Sequence, residues 1–483
     1  MTYSARRLSV SKILLVPALA IYLLLIPLDG LIRVIALRTH SYLLNAWKDC
    51  LLLVLLSVGA IVSLLHARVR GQSGGVFAPF LTVSVFGVAL LGVFHGLVNQ
   101  TTIVPQALWG LKVLYLPILL FVLVQLMPGD VGPAFCQKIV NGLLWFSIPI
   151  CLFGIWQFFM GWNFVTALFV GDATESIGYV NIAKMGGFLR AFSTLREPFA
   201  FGDFCSMLLM YDLALMLFSR KRWWHWPVAL LLLAGIIVST SRVSIITAVA
   251  GAITLFLCRK RHAGVLYFGM AFVGLIVVMA AASTVMMGAD LARGRDGFLG
   301  ALLASGSLFG RTLEWSSVLA RYPMNSIMKI LMGWGTGAIG SAQAKVSAEY
   351  FFVDNFYLLI LILHGLIGCA VWFGLLLKCF VALINFVTRY ASRTTAGYWF
   401  IAGTAAFVGS QFVEFLFRTG LEGFPGQIFF WTFLGLSLRL IQEVRADTFH
   451  MPPFSVPAHS GYGERRLGAE TFVDQPLRVD RNG

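Results

Sequence analysis

Residues 13–28 read ILLVPALAIYLLLIPL, an uncharged run that follows the basic residues Arg6, Arg7 and Lys12. A helix rises 1.5 Å per residue, so about 20 residues cross a hydrocarbon layer of about 30 Å. The basic start resembles a signal sequence, but no small-x-small cleavage site follows it, and further apolar runs come after it. We therefore expect a retained first membrane span.

The composition extends this expectation to the whole chain. Of its 483 residues, 59% are hydrophobic and 12% are charged, whereas soluble domains average about 25% charged residues. No soluble core could bury so much apolar surface, which excludes a soluble enzyme, a nucleic-acid-binding domain and a disordered scaffold. The runs also lack the period-two alternation of outer-membrane barrel strands.

We predict an all-α polytopic membrane protein with about twelve transmembrane helices that form one domain over residues 1–441. The two short segments at 226–240 and 243–258 could instead be tilted or partly re-entrant. The predicted spans lie near residues 13–28, 48–66, 77–98, 103–126, 139–160, 198–218, 226–240, 243–258, 264–287, 354–378, 396–417 and 424–441.

Basic residues predict the orientation, because cytoplasmic loops of membrane proteins are rich in Lys and Arg. A cytoplasmic N-terminus puts the basic triplets 220–222 and 259–261 on the cytoplasmic side, together with the C-terminal tail 442–483, which we expect to be disordered. Much of the net charge of +15 follows from this bias. Two long loops, 161–197 after span five and 288–353 after span nine, fall on the opposite side.

The seven cysteines predict neither a metal site nor disulfides in the long loops. All of them fall in spans or at cytoplasmic edges, and no Cys/His spacing typical of a metal site is present.

Among the polar residues, the arginines on the non-cytoplasmic side most need an explanation for their position. Arginine offers a planar five-donor fork that matches phosphate oxygens and stays protonated. Several arginines that converge at the membrane surface would bind a phosphate or pyrophosphate group; alternatively, each could reach to lipid head groups. The candidates are Arg196, Arg242 and Arg311, with Arg190 and Arg321 as second choices.

Two carboxylates are candidate bases. Glu197 directly precedes Pro198 at the predicted start of span six, and Asp354 opens span ten. Either one could instead complement or cap its helix, as could Asn355. Gln411, Glu414 and Arg418 share one face near the end of span eleven, where an i,i+4 ion pair explains the last two.

The glycine run at 333–340 contains a G-x-G-x-x-G match at Gly335, Gly337 and Gly340. No strand precedes it and no βαβ unit surrounds it, so the dinucleotide-binding interpretation lacks its structural context. We expect these glycines to permit tight turns and close backbone approach.

Over roughly residues 140–440 the sequence resembles the O-antigen ligase and Wzy-type polysaccharide polymerase superfamily. Members of this superfamily are polytopic and have two long periplasmic loops. The local matches are Arg196-Glu197-Pro198 with Gly202, Ser241-Arg242, Gly310-Arg311 with Trp315, the glycine run 333–340, and Asp354-Asn355 with Gly365 and Gly368.

The resemblance implies a metal-independent glycosyltransferase in the bacterial inner membrane whose active site faces the periplasm. It would need no cofactor and would use undecaprenyl-pyrophosphate-linked oligosaccharides as donor and acceptor, with a chain-length-regulating membrane protein as a further partner. Arg196, Arg242 and Arg311 would bind the pyrophosphate, and Asp354 or Glu197 would serve as base.

Within this superfamily the sequence favours a polymerase for exopolysaccharide, capsule or O-antigen. Ligases, which transfer the glycan to the lipid A core, have a histidine near the end of the long loop, and residues 288–353 contain no histidine. From another class, a lipid-linked oligosaccharide transporter or flippase would also have about twelve spans. A carrier built from two repeats should show matched halves, and we find no internal repeat.

Overall fold

In the part of the chain that the computed structural model describes, the fold is α-helical apart from a short antiparallel pair formed by Lys184–Met185 (β1) and Phe188–Leu189 (β2). The structure describes residues 14–70, 76–127, 131–161, 184–185, 188–219, 223–261, 315, 318, 321–344, 353–390 and 397–450.

The helices follow the predicted spans closely along the chain. In the first half they are α1 Val16–Leu25, α2 Asp29–Arg38, α3 Tyr42–Asn45, α4 Trp47–Arg70, α5 Pro79–Val98, α6 Val104–Leu114, α7 Ile118–Leu126 and α8 Pro133–Met160. In the second half they are α9 Pro198–Phe218, α10 His225–Val238, α11 Arg242–Lys260, α12 Ile327–Met332, α13 Ser341–Ala344, α14 Phe356–Asn385, α15 Tyr398–Glu414 and α16 Gly426–His450.

The protein is a polytopic α-helical membrane protein by the length and composition of its helices. Among the described residues, six helices are long and apolar enough to cross a membrane, and the pair α6 and α7, bent by 47°, would make a seventh. The predicted span 264–287 and most of both long loops lie outside the described residues. The count of twelve spans and the orientation stay predictions.

Helix α9 forms the centre of the bundle and packs against α8, α10, α11 and α15. Of the six candidate spans it is the most enclosed, with 72% of its apolar window buried inside the protein. Small residues let the neighbouring helices come close, as they do at many membrane helix interfaces. A Cβ on Gly202 of α9 would lie 2.6 Å from Ser244 Oγ of α11.

The glycine run 333–340 packs against backbone, which confirms the prediction of tight turns and close approach. Its four glycines all have positive φ, and a Cβ on Gly335 would lie 2.6 Å from the Cα of Gly96 in α5. The amides of Trp334 and Gly335 donate to the carbonyls of Ile362 and Leu363. These carbonyls stand next to Gly365, whose non-helical backbone breaks α14, so the loop satisfies acceptors at the break.

The last helix, α16, ends at His450 rather than at the predicted residue 441. The first nine residues of the predicted disordered tail 442–483 are therefore helical, and residues 451–483 lie outside the described part of the chain.

Candidate functional site

The turn between α10 and α11 is a compact group of hydroxyls fixed on the central helix. Ser241 caps α11 by accepting a hydrogen bond from the Ser244 amide at 3.3 Å. Ser244 Oγ in turn lies 2.7 Å from Asp203 Oδ1 on α9. The closeness of Gly202 to Ser244 allows this contact, since any side chain at Gly202 would push the two helices apart.

Arg418, four residues after the end of α15, forms an ion pair with Asp203. Its Nη1 also lies 4.0 Å from Glu414 Oε1, so the predicted i,i+4 pair is present, although Asp203 is the closer partner. Burial lowers the pKa of Arg418, while Asp203, Glu414, Glu197 and Asp354 raise it, and the net change is upward. Arg418 is thus a charged guanidinium surrounded by acids.

Arg190 reaches the same place from the segment before α9. Its Nε donates to Thr240 Oγ1 at 3.0 Å, and its guanidinium carbon stands 4.3 Å from the centre of the Phe199 ring. The guanidinium carbon of Arg418 is 4.8 Å from the centre of that ring. Two fixed guanidinium groups therefore meet at one aromatic side chain, beside the turn that leads into Arg242.

A narrow cleft next to Arg418, between α9, α15 and the start of α16, has room for little more than one water-sized group. Its polar lining consists of Asp203, Gln411 and Glu414, and much of the remaining wall is aromatic, from Phe204, Phe407 and Phe429. The cleft therefore suits a small polar group such as a single hydroxyl rather than a whole sugar.

A second cationic cluster surrounds Asp29, the first residue of α2. This buried carboxylate accepts from the Trp47 indole at 3.1 Å and from Lys48 Nζ at 3.2 Å, and it lies 3.8 Å from Arg196 Nε. Lys48 Nζ also lies 3.8 Å from the centre of the Phe424 ring. Phe424 directly precedes Pro425, which lines the cleft, so the two clusters lie close to one loop.

The residues predicted to bind pyrophosphate do not all lie together. Arg190 and the helix start at Arg242 adjoin Arg418, whereas Arg196 contacts Asp29 in the second cluster. Arg321 is exposed at the start of residues 321–344, and Arg311 lies outside the described residues.

The predicted bases both lie within electrostatic reach of Arg418. Glu197 is exposed at the start of α9, and Asp354 is half-buried before α14. The cap of α14 is Asn355, whose Oδ1 accepts from the Leu358 amide at 2.9 Å. Asp354 is therefore not the residue that caps this helix.

Sequence reasoning did not assign Asp203, Ser244 or Glu414 to the site, and it treated Arg418 as one half of a structural ion pair. A signal was present, because a charged residue inside an apolar helix is costly and usually functional. Asp203 is such a residue, six positions into α9. Its partner follows α15, more than 200 residues later, and nothing in the local sequence links the two.

No protein-family model matches the sequence, and no curated protein matches it.

Proposed function

We propose that this protein is a polysaccharide polymerase of the inner membrane. It transfers a growing glycan from undecaprenyl pyrophosphate to a lipid-linked repeat unit on the periplasmic side, for exopolysaccharide, capsule or O-antigen. The observation that carries the proposal is the pair of guanidinium groups, Arg190 and Arg418, at the ring of Phe199.

Two fixed arginines beside a hydroxyl-rich turn suit a pyrophosphate. Each guanidinium presents a planar set of donors to phosphate oxygens, and the start of α11 at Arg242 adds a partial positive charge. Breaking the bond between sugar C1 and the pyrophosphate oxygen builds negative charge on the leaving group. Cations already held by Thr240 and Asp203 stabilise that charge without rearranging first.

The cationic cluster around Asp29 is the proposed binding site for the second substrate. In a polymerase, donor and acceptor each carry a pyrophosphate, so two anion sites are needed on either side of the reacting sugars. Lys48 and Arg196 exceed the charge of Asp29 by one unit, and their side chains are 15% and 30% exposed. They supply the acceptor's site, while Arg190 and Arg418 supply the donor's.

The test uses membranes from a strain that produces the lipid-linked repeat and lacks its own copy of the protein. Wild-type protein should yield a ladder of polysaccharide lengths, whereas Arg418→Ala, Arg190→Ala and Arg196→Ala should leave mainly single repeats. Arg389→Ala, at an exposed arginine after α14, is the matched control and should keep the ladder, with equal insertion checked for every variant.

Two other results would overturn the proposal. Single repeats that reach lipid A without polymerising would mark a ligase. Repeats that accumulate on the cytoplasmic leaflet when the protein is removed would mark a transporter.

A further inference from the structure

The two carboxylates in the cleft differ in how many of their oxygens have a close hydrogen-bond or ion-pair partner. Asp203 has one oxygen on Ser244 and the other on Arg418. Glu414 Oε2 accepts from Gln411 Nε2 at 2.5 Å, but its Oε1 stands 4.0 Å from Arg418, which is too long for a hydrogen bond. Among the described residues, Glu414 Oε1 therefore keeps acceptor capacity that Asp203 has already used.

The backbone of Gly420 packs closely against that oxygen. A Cβ at Gly420 would lie 2.5 Å from Glu414 Oε1, closer than real atoms approach, so a side chain there would displace the carboxylate. Both residues line the cleft. Glycine at position 420 therefore lets Oε1 keep its place in the wall of the cleft, where a hydroxyl-sized group can reach it.

Protonation of Glu414 at this oxygen would change the electrostatic potential at Arg418. Arg418 is shared by Asp203 and Glu414. If Glu414 takes up a proton it becomes neutral, and Arg418 is then offset by one close acid instead of two. The positive potential at Arg418 would rise at the moment when the leaving pyrophosphate gains negative charge.

We propose that Glu414 is the general base of the transfer, a role that rests on the polymerase function proposed above. Glu414 Oε1 takes the proton from the acceptor sugar hydroxyl, and the hydroxyl oxygen forms a bond to C1 of the donor sugar. The bond between C1 and the pyrophosphate oxygen breaks, and undecaprenyl pyrophosphate leaves with that electron pair. Gln411 is a positioning residue that holds the other carboxylate oxygen.

The experiment measures initial rates of chain extension by the full-length protein in liposomes. The substrate is the undecaprenyl-pyrophosphate-linked repeat isolated from the producing strain. Glu414→Gln should lower the rate about 10²- to 10⁴-fold, the usual contribution of a general base, and Glu414→Asp should restore part of it. Gly420→Ala should also lower the rate, since its Cβ would displace the same oxygen without changing the charge.

A matched control and a binding assay separate catalysis from structure. Glu422→Gln alters a carboxylate two residues from Gly420 that faces Ser341, and it should keep the wild-type rate. Glu414→Gln should still show the rise in thermal midpoint that undecaprenyl pyrophosphate gives the wild type. The rate of the wild type should fall at acid pH, and the residual rate of Glu414→Gln should lack that dependence.

The outcomes distinguish this inference from the function on which it rests. A wild-type rate in Glu414→Gln, or loss of its response to undecaprenyl pyrophosphate, would overturn the role of Glu414 while leaving a polymerase. A wild-type protein that extends no chains would overturn the function itself.

Discussion

Arg190 and Arg418 stand 4.3 Å and 4.8 Å from the centre of the Phe199 ring, although more than 200 residues separate them in the chain. Each is held by a different partner, Thr240 for Arg190 and Asp203 for Arg418. Both groups are cations, so an anion bound beside the ring would be attracted by each of them. The ring contributes because its negative face attracts each cation.

Replacing Phe199 by leucine should weaken pyrophosphate binding while keeping the site folded. Loss of the cation–π contacts should raise the Kd for undecaprenyl pyrophosphate about 3- to 30-fold. Isothermal titration in detergent would measure it, with Phe159→Leu as control because that ring is 77% exposed. An unchanged Kd in Phe199→Leu would mean that the ring does not contribute to pyrophosphate binding.

The Asp203–Arg418 pair should show strong energetic coupling. Arg418→Ala strands a partly buried carboxylate, and removing one partner of a buried pair costs about 3–5 kcal/mol. The double variant Asp203→Ala with Arg418→Ala should lose much less stability than the sum of the two single variants. Unfolding measurements on the four proteins would give the coupling energy. Simple additivity would mean that the pair does not hold the site together.

The protein should bind two molecules of undecaprenyl pyrophosphate. Neutralising the second cluster with Asp29→Asn, Lys48→Gln and Arg196→Gln together should reduce this to one, because the change removes its excess positive charge without stranding Asp29. Native mass spectrometry of the detergent-solubilised protein would count the bound lipids. A single bound lipid in the wild type would contradict the two-site arrangement.

Gly335 should tolerate no side chain, unlike Gly87. Alanine at Gly335 would have to adopt a φ of +108° and would meet the backbone of Gly96, at a cost of about 1–3 kcal/mol from backbone strain alone. A Cβ at Gly87 meets nothing within 4 Å, so Gly87→Ala should be neutral or slightly stabilising. Thermal midpoints in detergent would compare them. Equal midpoints would argue against close packing of this loop on α5.

Glu422 should make stability depend on pH. Burial raises the pKa of Glu422, even though hydrogen bonds from Ser341 lower it. A carboxyl with a raised pKa binds its proton more tightly in the folded state, so its contribution is present at low pH and is lost as pH rises through the folded-state pKa. Glu422→Gln should flatten this decline in the thermal midpoint. An equally steep decline in the variant would assign the effect to other groups.

Much of the fold could be predicted from the sequence, because membrane helices must satisfy their backbone internally and be apolar along their length. Eleven of the twelve predicted spans coincide with described helices. The breaks were harder to predict. Nothing near Gly365 indicates that amides of Trp334 and Gly335 complete the hydrogen bonding of α14, since that contact depends on tertiary packing.

The sequence predicts which residue types form the candidate site better than it predicts which of them come together. Position on the predicted external side indicated arginines such as Arg190, but it could not show that Arg196 would contact Asp29 of α2. Similarly, the spacing of Glu414 and Arg418 predicted their ion pair, while Asp203 became their partner only through the packing of α9 on α15. Local sequence carries no information about such pairings.

Purified protein in liposomes that contain only the undecaprenyl-pyrophosphate-linked repeat gives the most direct test of polymerase activity. We expect dimers and longer chains, with one undecaprenyl pyrophosphate released for every new linkage, and loss of both products in Arg418→Ala. Intact repeats that cross the bilayer without any release of undecaprenyl pyrophosphate would contradict that activity.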